Sequence, residues 1–216
     1  MEAGDARFRE IYRTHSWEGG SRSGPGSDPG KAAPYLRLLQ GFIDDPANRV
    51  GSIVDLGCGD WAWTRHVRFG NRRYAGFDVV PELVQKLERD HGSELVRFAV
   101  ADAGWSNLPD ADLLLVKDVL QHLSTERVRR FMTDVLPRYR LALITNDVAR
   151  FHLPWWPLPW PRRAVGTVNS AVEDGGWCPL DVTQPPFSIV ATPLLTFGVK
   201  VSWRTLDVKR TVLHRR

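Results

Sequence analysis

The sequence predicts an α/β fold, a single doubly wound and mostly parallel sheet of seven strands flanked by helices. Three observations predict it. The run at 52–56 is short, apolar and bounded by Gly51 and Gly57, as expected of a strand buried inside such a sheet. It runs into a tight turn, Gly57-Cys58-Gly59, that opens a helical pattern, and glycines let that backbone turn sharply and approach a ligand. Beyond it, strand-like runs alternate with amphipathic helical ones at the rhythm of a parallel sheet.

Taken in order, the chain begins with a short amphipathic stretch from Phe8 to Tyr12, then Trp17 and a glycine- and serine-rich segment, Ser21-Arg-Ser-Gly-Pro-Gly-Ser27. A flexible linker rarely carries Tyr12 and Trp17 so close to it. Residues 34–43 predict a helix, with Leu36, Leu39 and Ile43 on one face. A first crossover helix is expected at 60–69, capped by Asp60 and stopped by Gly70. The second strand, 73–77, ends at Asp78, and helix 81–91 follows with proline in its first turn and Gly92 after its end. A third strand at 95–100 leads to Asp102-Ala103, and a fourth at 111–118 leads directly to Val119-Leu-Gln-His122. Ser124 caps a helix that runs to about Leu136, where Pro137 ends it, and a fifth strand at 141–145 stops at Asn146-Asp147. The last strands are expected near 194–197 and 201–208.

Residues 151–161 depart from a bare core, with three tryptophans and four prolines in eleven positions, too many prolines for a helix or a central strand. As a loop beside the active edge it reads as an aromatic lid over a substrate, a subunit contact that would make a homodimer, or a membrane-surface anchor.

With 216 residues the chain is long enough for one domain with a full core, and 43 % hydrophobic with 25 % charged residues is ordinary globular composition. The two cysteines, Cys58 and Cys178, fit neither a disulfide framework nor a zinc site. No apolar run approaches 18 residues, so neither a spanning helix nor export is expected and the cytoplasm is the default location. The net charge is +4, but the arginines are dispersed and their clusters are not interleaved with aromatics. That distribution reads as a solvated charged face, and a nucleic acid is not the expected partner.

Gly57-Cys-Gly-Asp-Trp-Ala62 fits the G-x-G-x-x-A form of a dinucleotide fingerprint, so the turn alone admits NAD or another adenosine cofactor. Asp78, at the end of strand two, is suited to hold both ribose hydroxyls. Asp102 with the Ala103 amide is placed to read an adenine amino group. Together the four stations between about residues 50 and 147 resemble the motif series of the class I S-adenosylmethionine (SAM)-dependent methyltransferases. That resemblance implies a Rossmann-like fold, SAM as cofactor, and the Gly57 to Gly59 turn beside its methionine part.

The Tyr12…Trp17…Ser-Gly-Pro-Gly-Ser lead-in, Gly175-Gly-Trp-Cys-Pro-Leu-Asp181 and Pro185-Pro-Phe187 further resemble a family of small bacterial sugar O-methyltransferases. By that resemblance residues 1–34 fold over the cofactor, with serines and amides at the SAM carboxylate. Residues 35–216 form the methyltransferase domain, with 148–186 as substrate lid. The implied cofactor-binding set is Trp17, Ser23, Gly24, Ser27, Asp55, Gly57, Cys58, Gly59, Trp61, Asp78, Val79, Asp102, Ala103 and Lys117. The implied acceptor is a hydroxyl of a small carbohydrate, such as the 1-hydroxyl of a methylated mannoside. Methylation of RNA or of another small metabolite, and a catalytically silent SAM- or glycan-binding module, stay open. An NAD-linked oxidoreductase would need a second half-site, and no second glycine fingerprint follows strand five.

A hydroxyl acceptor wants a base, a metal, or both. His122 is the candidate base, with Asp118 one helical turn before it to orient the imidazole; the alternative is a histidine that packs or caps that helix. Asp147 joins them as a catalytic candidate at the end of strand five. Asp118, Asp147 and Glu173 (or its neighbour Asp174) also form an oxygen-rich set that suits Mg²⁺, unless they cap helices or pair with arginines. His152, Trp155, Trp156 and Trp177 are the candidate substrate contacts, since tryptophan faces suit the C–H faces of sugars.

Overall fold

The computed structural model describes residues 3–14, 23–101, 104–152 and 163–216. Seven strands lie in the order β3-β2-β1-β4-β5-β8-β7. They are β1 Ser52–Leu56, β2 Arg73–Asp78, β3 Val96–Val100, β4 Leu113–Lys117, β5 Leu141–His152, β7 Thr192–Lys200 and β8 Thr205–Arg215. The two-residue β6, Arg163–Ala164, pairs with the outer end of β5. The first five strands pair in parallel, and β8 runs antiparallel between β5 and β7. The predicted mixed α/β sheet is therefore the sheet observed.

Strand alternation divides the core. On β4, Leu113 and Leu115 face one cluster while Leu114 and Val116 face the other, all four without measurable exposure. The first cluster lies under α2 Ala33–Asp44 and α3 Pro81–His91, whose Tyr35, Leu39, Val84 and Leu87 are buried against it. The second lies under α1 Ala3–Thr14 and α4 Thr125–Arg130, with Phe8, Ile11 and Val128 inside it. Ser124 caps α4 as expected, its side chain accepting from the Arg127 amide, and the helix continues as a π turn over Phe131–Val135.

Three expected elements differ. Between β1 and β2 stands a single 3₁₀ turn, Thr64–His66, and no α-helix. Trp61 takes φ 57°, and Trp61, Trp63 and Phe69 are all buried in the same cluster. Positions two apart on an α-helix face apart, so a regular helix would leave one tryptophan in water. Second, β5 does not stop at residue 145 but continues to His152, because β8 pairs with it along its whole length, from Leu141↔Arg215 to His152↔Thr205. Residues 148–152 thus belong to the sheet, with a bulge between Asp147 and Ala149, and do not start a lid. Third, β8 begins at Thr205 and reaches Arg215, beyond the expected 201–208. The charged Lys209 and Arg210 hide its length in the sequence: Lys209 is buried in an ion cluster and Arg210 pairs with Asp181 at 2.7 Å.

Candidate active site

Two clefts open beside the ends of the parallel strands and share Ser23, Asp118 and His122. The inner cleft spans about 740 Å³ with open solvent included. Its floor is Leu56, Gly57, Cys58 and Gly59, where the amides of Gly57 and Cys58 both donate to the Phe77 carbonyl, at 2.7 and 3.0 Å, and lock the turn onto β2. Gly57 holds φ 75°, and a Cβ there would lie 2.2 Å from Val119 Cγ2, so the turn accepts glycine alone. Asp78 and Val79 line the same cleft. The Asp78 carboxylate accepts the Gly59 and Val80 amides at 3.1 Å each, and burial pushes its pKa up to about 6 against the pull of those amides.

The N-terminal segment forms the opposite wall. Phe8 and Tyr12 of α1 line it with Ser23 and Ser27. The Tyr12 hydroxyl stands 2.8 Å from Ser23 Oγ, which accepts the Asp60 amide at 2.9 Å. Lys117 fastens this segment to β4, its ammonium donating to the Gly26 carbonyl at 2.9 Å and to Asp118 Oδ2 at 2.5 Å. Trp105 and Arg127 line it too, with the guanidinium 5.2 Å from the indole.

Ser23, Ser27, Gly57, Cys58, Gly59, Asp78, Val79 and Lys117 are thus brought to one cleft. Gly24 lies in the outer cleft instead. Asp55 and Trp61 line neither. Strand alternation sends Asp55 beneath the turn, where it accepts the Tyr74 hydroxyl at 2.8 Å and burial pushes its pKa up to about 6. Trp61 turns into the core, its ring 5.2 Å from Phe98 and 5.9 Å from Tyr74. Trp17, Asp102, Ala103, Trp155 and Trp156 lie outside the described residues.

The outer cleft, about 1130 Å³ with open solvent included, is the more polar of the two. His122 closes the 3₁₀ turn Leu120–His122, and its Nδ1 lies 2.7 Å from the Gly176 carbonyl oxygen. A carbonyl only accepts, so that contact requires the proton on Nδ1 and makes Nε2 the basic nitrogen, toward which the Gln121 amide donates at 3.4 Å. Burial lowers the imidazole pKa below its ordinary 6.5, although the Gly176 carbonyl and the Asp147 and Asp118 carboxylates pull the other way. The ring is therefore neutral at pH 7.

Asp118 does not orient this histidine. It takes φ 59° and points between two lysines, with Oδ1 2.6 Å from Lys209 Nζ and Oδ2 on Lys117. Burial alone would raise its pKa, but the Lys117 and Lys209 ammoniums hold it well below the usual carboxylate range. Asp147 is saturated as well. Its Oδ1 accepts from Lys209 at 2.7 Å, and its Oδ2 accepts from Gln121 Nε2 at 2.9 Å and Trp177 Nε1 at 3.1 Å. Gln121 in turn accepts the Asp147 amide at 2.6 Å.

The segment after Glu173 roofs this cleft. Gly175 N donates to the His122 carbonyl, Cys178 N to that of Gln121 and Leu180 N to that of Asp147. Asp174 accepts the Ser124 amide at 2.8 Å and Arg127 at 3.1 Å, so it caps a helix and pairs with an arginine. Trp177 lines the cleft as expected, with the Arg150 guanidinium 3.7 Å from its ring and paired in a bidentate bridge with Asp207 at 2.5 and 2.8 Å. His152 is exposed at the end of β5 and Glu173 is exposed in a turn; neither lines a cleft.

The expected metal set does not fit. Asp118 and Asp147 do converge, but on the Lys209 ammonium, and Glu173 does not join them. Among the described residues no group of three His, Cys, Asp or Glu side chains is placed to hold a metal ion. Gln121, Arg150, Asp207 and Lys209 went unseen in the sequence, while Tyr12 was read only as part of the lead-in motif. The alternation of Asp207, Lys209 and Thr211, all buried, was the available signal for a polar strand face turned inward.

Residues 54–136 match the family described as methyltransferase domain. No curated protein matches the chain at a significant level. Solved structures share the fold at low identity. The magnesium protoporphyrin IX methyltransferase ChlM from Synechocystis PCC 6803 with bound SAM is 16 % identical, with a TM-score of 0.53 over 98 % of this chain and 91 % of that one. A structure from work on the conversion of a disulfide bond into a thioacetal group during echinomycin biosynthesis is 19 % identical, with a TM-score of 0.58 over 98 % and 92 %. TehB from Haemophilus influenzae is 13 % identical, with a TM-score of 0.55; the match spans 85 % of this chain and 62 % of TehB. The inner cleft pairs a glycine turn with a strand-end carboxylate, a donor set that fits SAM. Residues 54–136 thus match a methyltransferase domain, and the chain has the fold of the SAM-binding methyltransferase ChlM.

Proposed function

We propose that the protein transfers the SAM methyl group to a hydroxyl of a small carbohydrate bound in the outer cleft, with His122 as the base. The observation that carries this reading is the position of His122. It lines both clefts, and with Nδ1 held by the Gly176 carbonyl its basic nitrogen is Nε2, the atom the Gln121 amide reaches at 3.4 Å.

In this scheme Gly57, Cys58, Gly59, Asp78, Ser23 and Ser27 hold the cofactor, which supplies an electrophilic methyl carbon on a sulfonium. His122 Nε2 removes the acceptor's hydroxyl proton as the oxygen takes the methyl, and the residues between the clefts set the approach. Neighbours of like fold are named for magnesium protoporphyrin IX and for mitomycin, so the fold leaves the acceptor open. The outer cleft argues for a ligand with many hydroxyls: Gln121, Asp147, Arg150, Asp207 and Lys209 line it with a single tryptophan. The 1-hydroxyl of a methylated mannoside is the first acceptor to try.

The test is a methyl-transfer assay with SAM over a panel of sugars and methylated mannosides, read as S-adenosylhomocysteine formed. A methylated sugar whose formation falls about 10²- to 10⁴-fold in His122→Ala, with S-adenosylhomocysteine still bound, supports the reading. Methylation of RNA or of a non-sugar metabolite in preference would replace the acceptor, and full activity in the variant would remove His122 from the mechanism.

A further inference from the structure

We infer that Lys209 is the resident cation of the acceptor cleft, a positioning residue that occupies the place between Asp118 and Asp147 where a divalent metal would otherwise sit. This rests on the outer cleft being the acceptor site, and it makes methyl transfer by this chain independent of added metal.

The geometry is specific. The Lys209 ammonium has both carboxylates within hydrogen-bond distance, Asp118 at 2.6 Å and Asp147 at 2.7 Å, and only 4 % of its side chain is exposed. The arrangement is built by the sheet: Asp147 on β5 stands directly opposite Lys209 on antiparallel β8. The neighbouring ions complete a balanced set. Lys117 holds the second oxygen of Asp118, and Arg150 holds Asp207. Three cations thus face three carboxylates. A divalent ion added to this set would leave an uncompensated buried charge, which is costly, so it would have to expel the ammonium first.

The cover segment leaves that ammonium nowhere to go. A Cβ built on Gly26 would lie 2.5 Å from Asp118 Oδ2 and 3.1 Å from Lys209 Nζ, so the backbone of the lead-in is packed directly over the pair. Lysine offers three donors and no acceptor. With two spent on Asp118 and Asp147, the third is left for an acceptor oxygen entering from the cleft that Lys209 lines.

The experiment is Mn²⁺ titration of the full-length protein followed by electron paramagnetic resonance, on the wild type, Lys209→Ala and Lys209→Ala/Asp147→Asn. The wild type is expected to leave the free Mn²⁺ signal unchanged, and its methyl transfer to be unaffected by a chelator. Lys209→Ala is expected to bind one Mn²⁺, to lose at least about tenfold in rate and to regain part of it with Mg²⁺; the added Asp147→Asn abolishes the gained site. Binding of one Mn²⁺ to the wild type, as to Lys209→Ala, that is absent from Lys209→Ala/Asp147→Asn would overturn the proposal. So would a folded Lys209→Ala protein that binds no Mn²⁺. Should Lys209→Ala not fold alone, a thermal melt with Mn²⁺ reads the same question: recovery of a cooperative transition supports the site, and none counts against it. These metal readings need neither SAM nor an acceptor. A wrong acceptor would show only in the transfer assay, and a wrong cofactor only in S-adenosylhomocysteine binding.

Discussion

At the scale of single residues, two titrating groups give the site its pH dependence. In the proposed mechanism His122 works as the neutral imidazole, and burial lowers its pKa from the ordinary 6.5. The rate is therefore full above that lowered pKa and falls as the pH drops through it, so the acid limb of kcat is expected below pH 6.5, checked by a pH–rate profile. Asp78 shifts the other way, up to about 6. A carboxyl group accepts from both ribose hydroxyls through both oxygens only when ionised, so S-adenosylhomocysteine affinity is expected to hold above pH 6 and to fall below it, by up to about tenfold per unit. Calorimetry between pH 5 and pH 8 would show this, and a flat profile would mean Asp78 does not hold the ribose. These two residues were legible in the sequence because their positions follow strand ends. The partners were not. Asp118 was expected to orient His122, whereas the Gly176 carbonyl, 54 residues away in the chain, does so. No local spacing encodes such a contact.

At the scale of elements, the glycine turn and the segment that covers it depend on each other. Gly57→Ala would need φ 75° from an alanine and would drive its Cβ into Val119. A cost of roughly 2–4 kcal/mol is expected from the left-handed backbone and the overpacking together, measured by urea unfolding. The helices α2 and α3 and the strands β1 to β4 were readable from period and capping, because each buries a regular stripe. The 60–69 helix failed as a reading because two tryptophans two residues apart are both buried, which outweighs local helical preference. The reach of β5 and β8 failed for a related reason. Their polar residues looked like strand ends, yet Asn146, Asp147, Asp207 and Lys209 are buried in pairing that only the folded sheet supplies.

At the scale of the whole molecule, one sheet carries two cores, and its central strands are sealed on both faces. Leu115→Ala removes a side chain with no exposure from the middle of β4 and is expected to cost about 2–5 kcal/mol, read from the denaturation midpoint. The cleft proposed for the cofactor lies between the N-terminal segment and the strand ends, so bound S-adenosylhomocysteine should raise Tm, by the equivalent of about 2.7 kcal/mol at a hundredfold excess over Kd. A ligand-independent Tm would mean that the cleft is not the cofactor site. The antiparallel entry of β8 between β5 and β7 also has a meaning in time. During synthesis all five parallel strands leave the ribosome before Lys209, so a nascent chain can assemble its glycine turn while Asp118 and Asp147 still lack their shared ammonium. Until β8 arrives, Asp118 has Lys117 alone and Asp147 has no ammonium beside it, so the outer cleft is finished only when the last strand is in place.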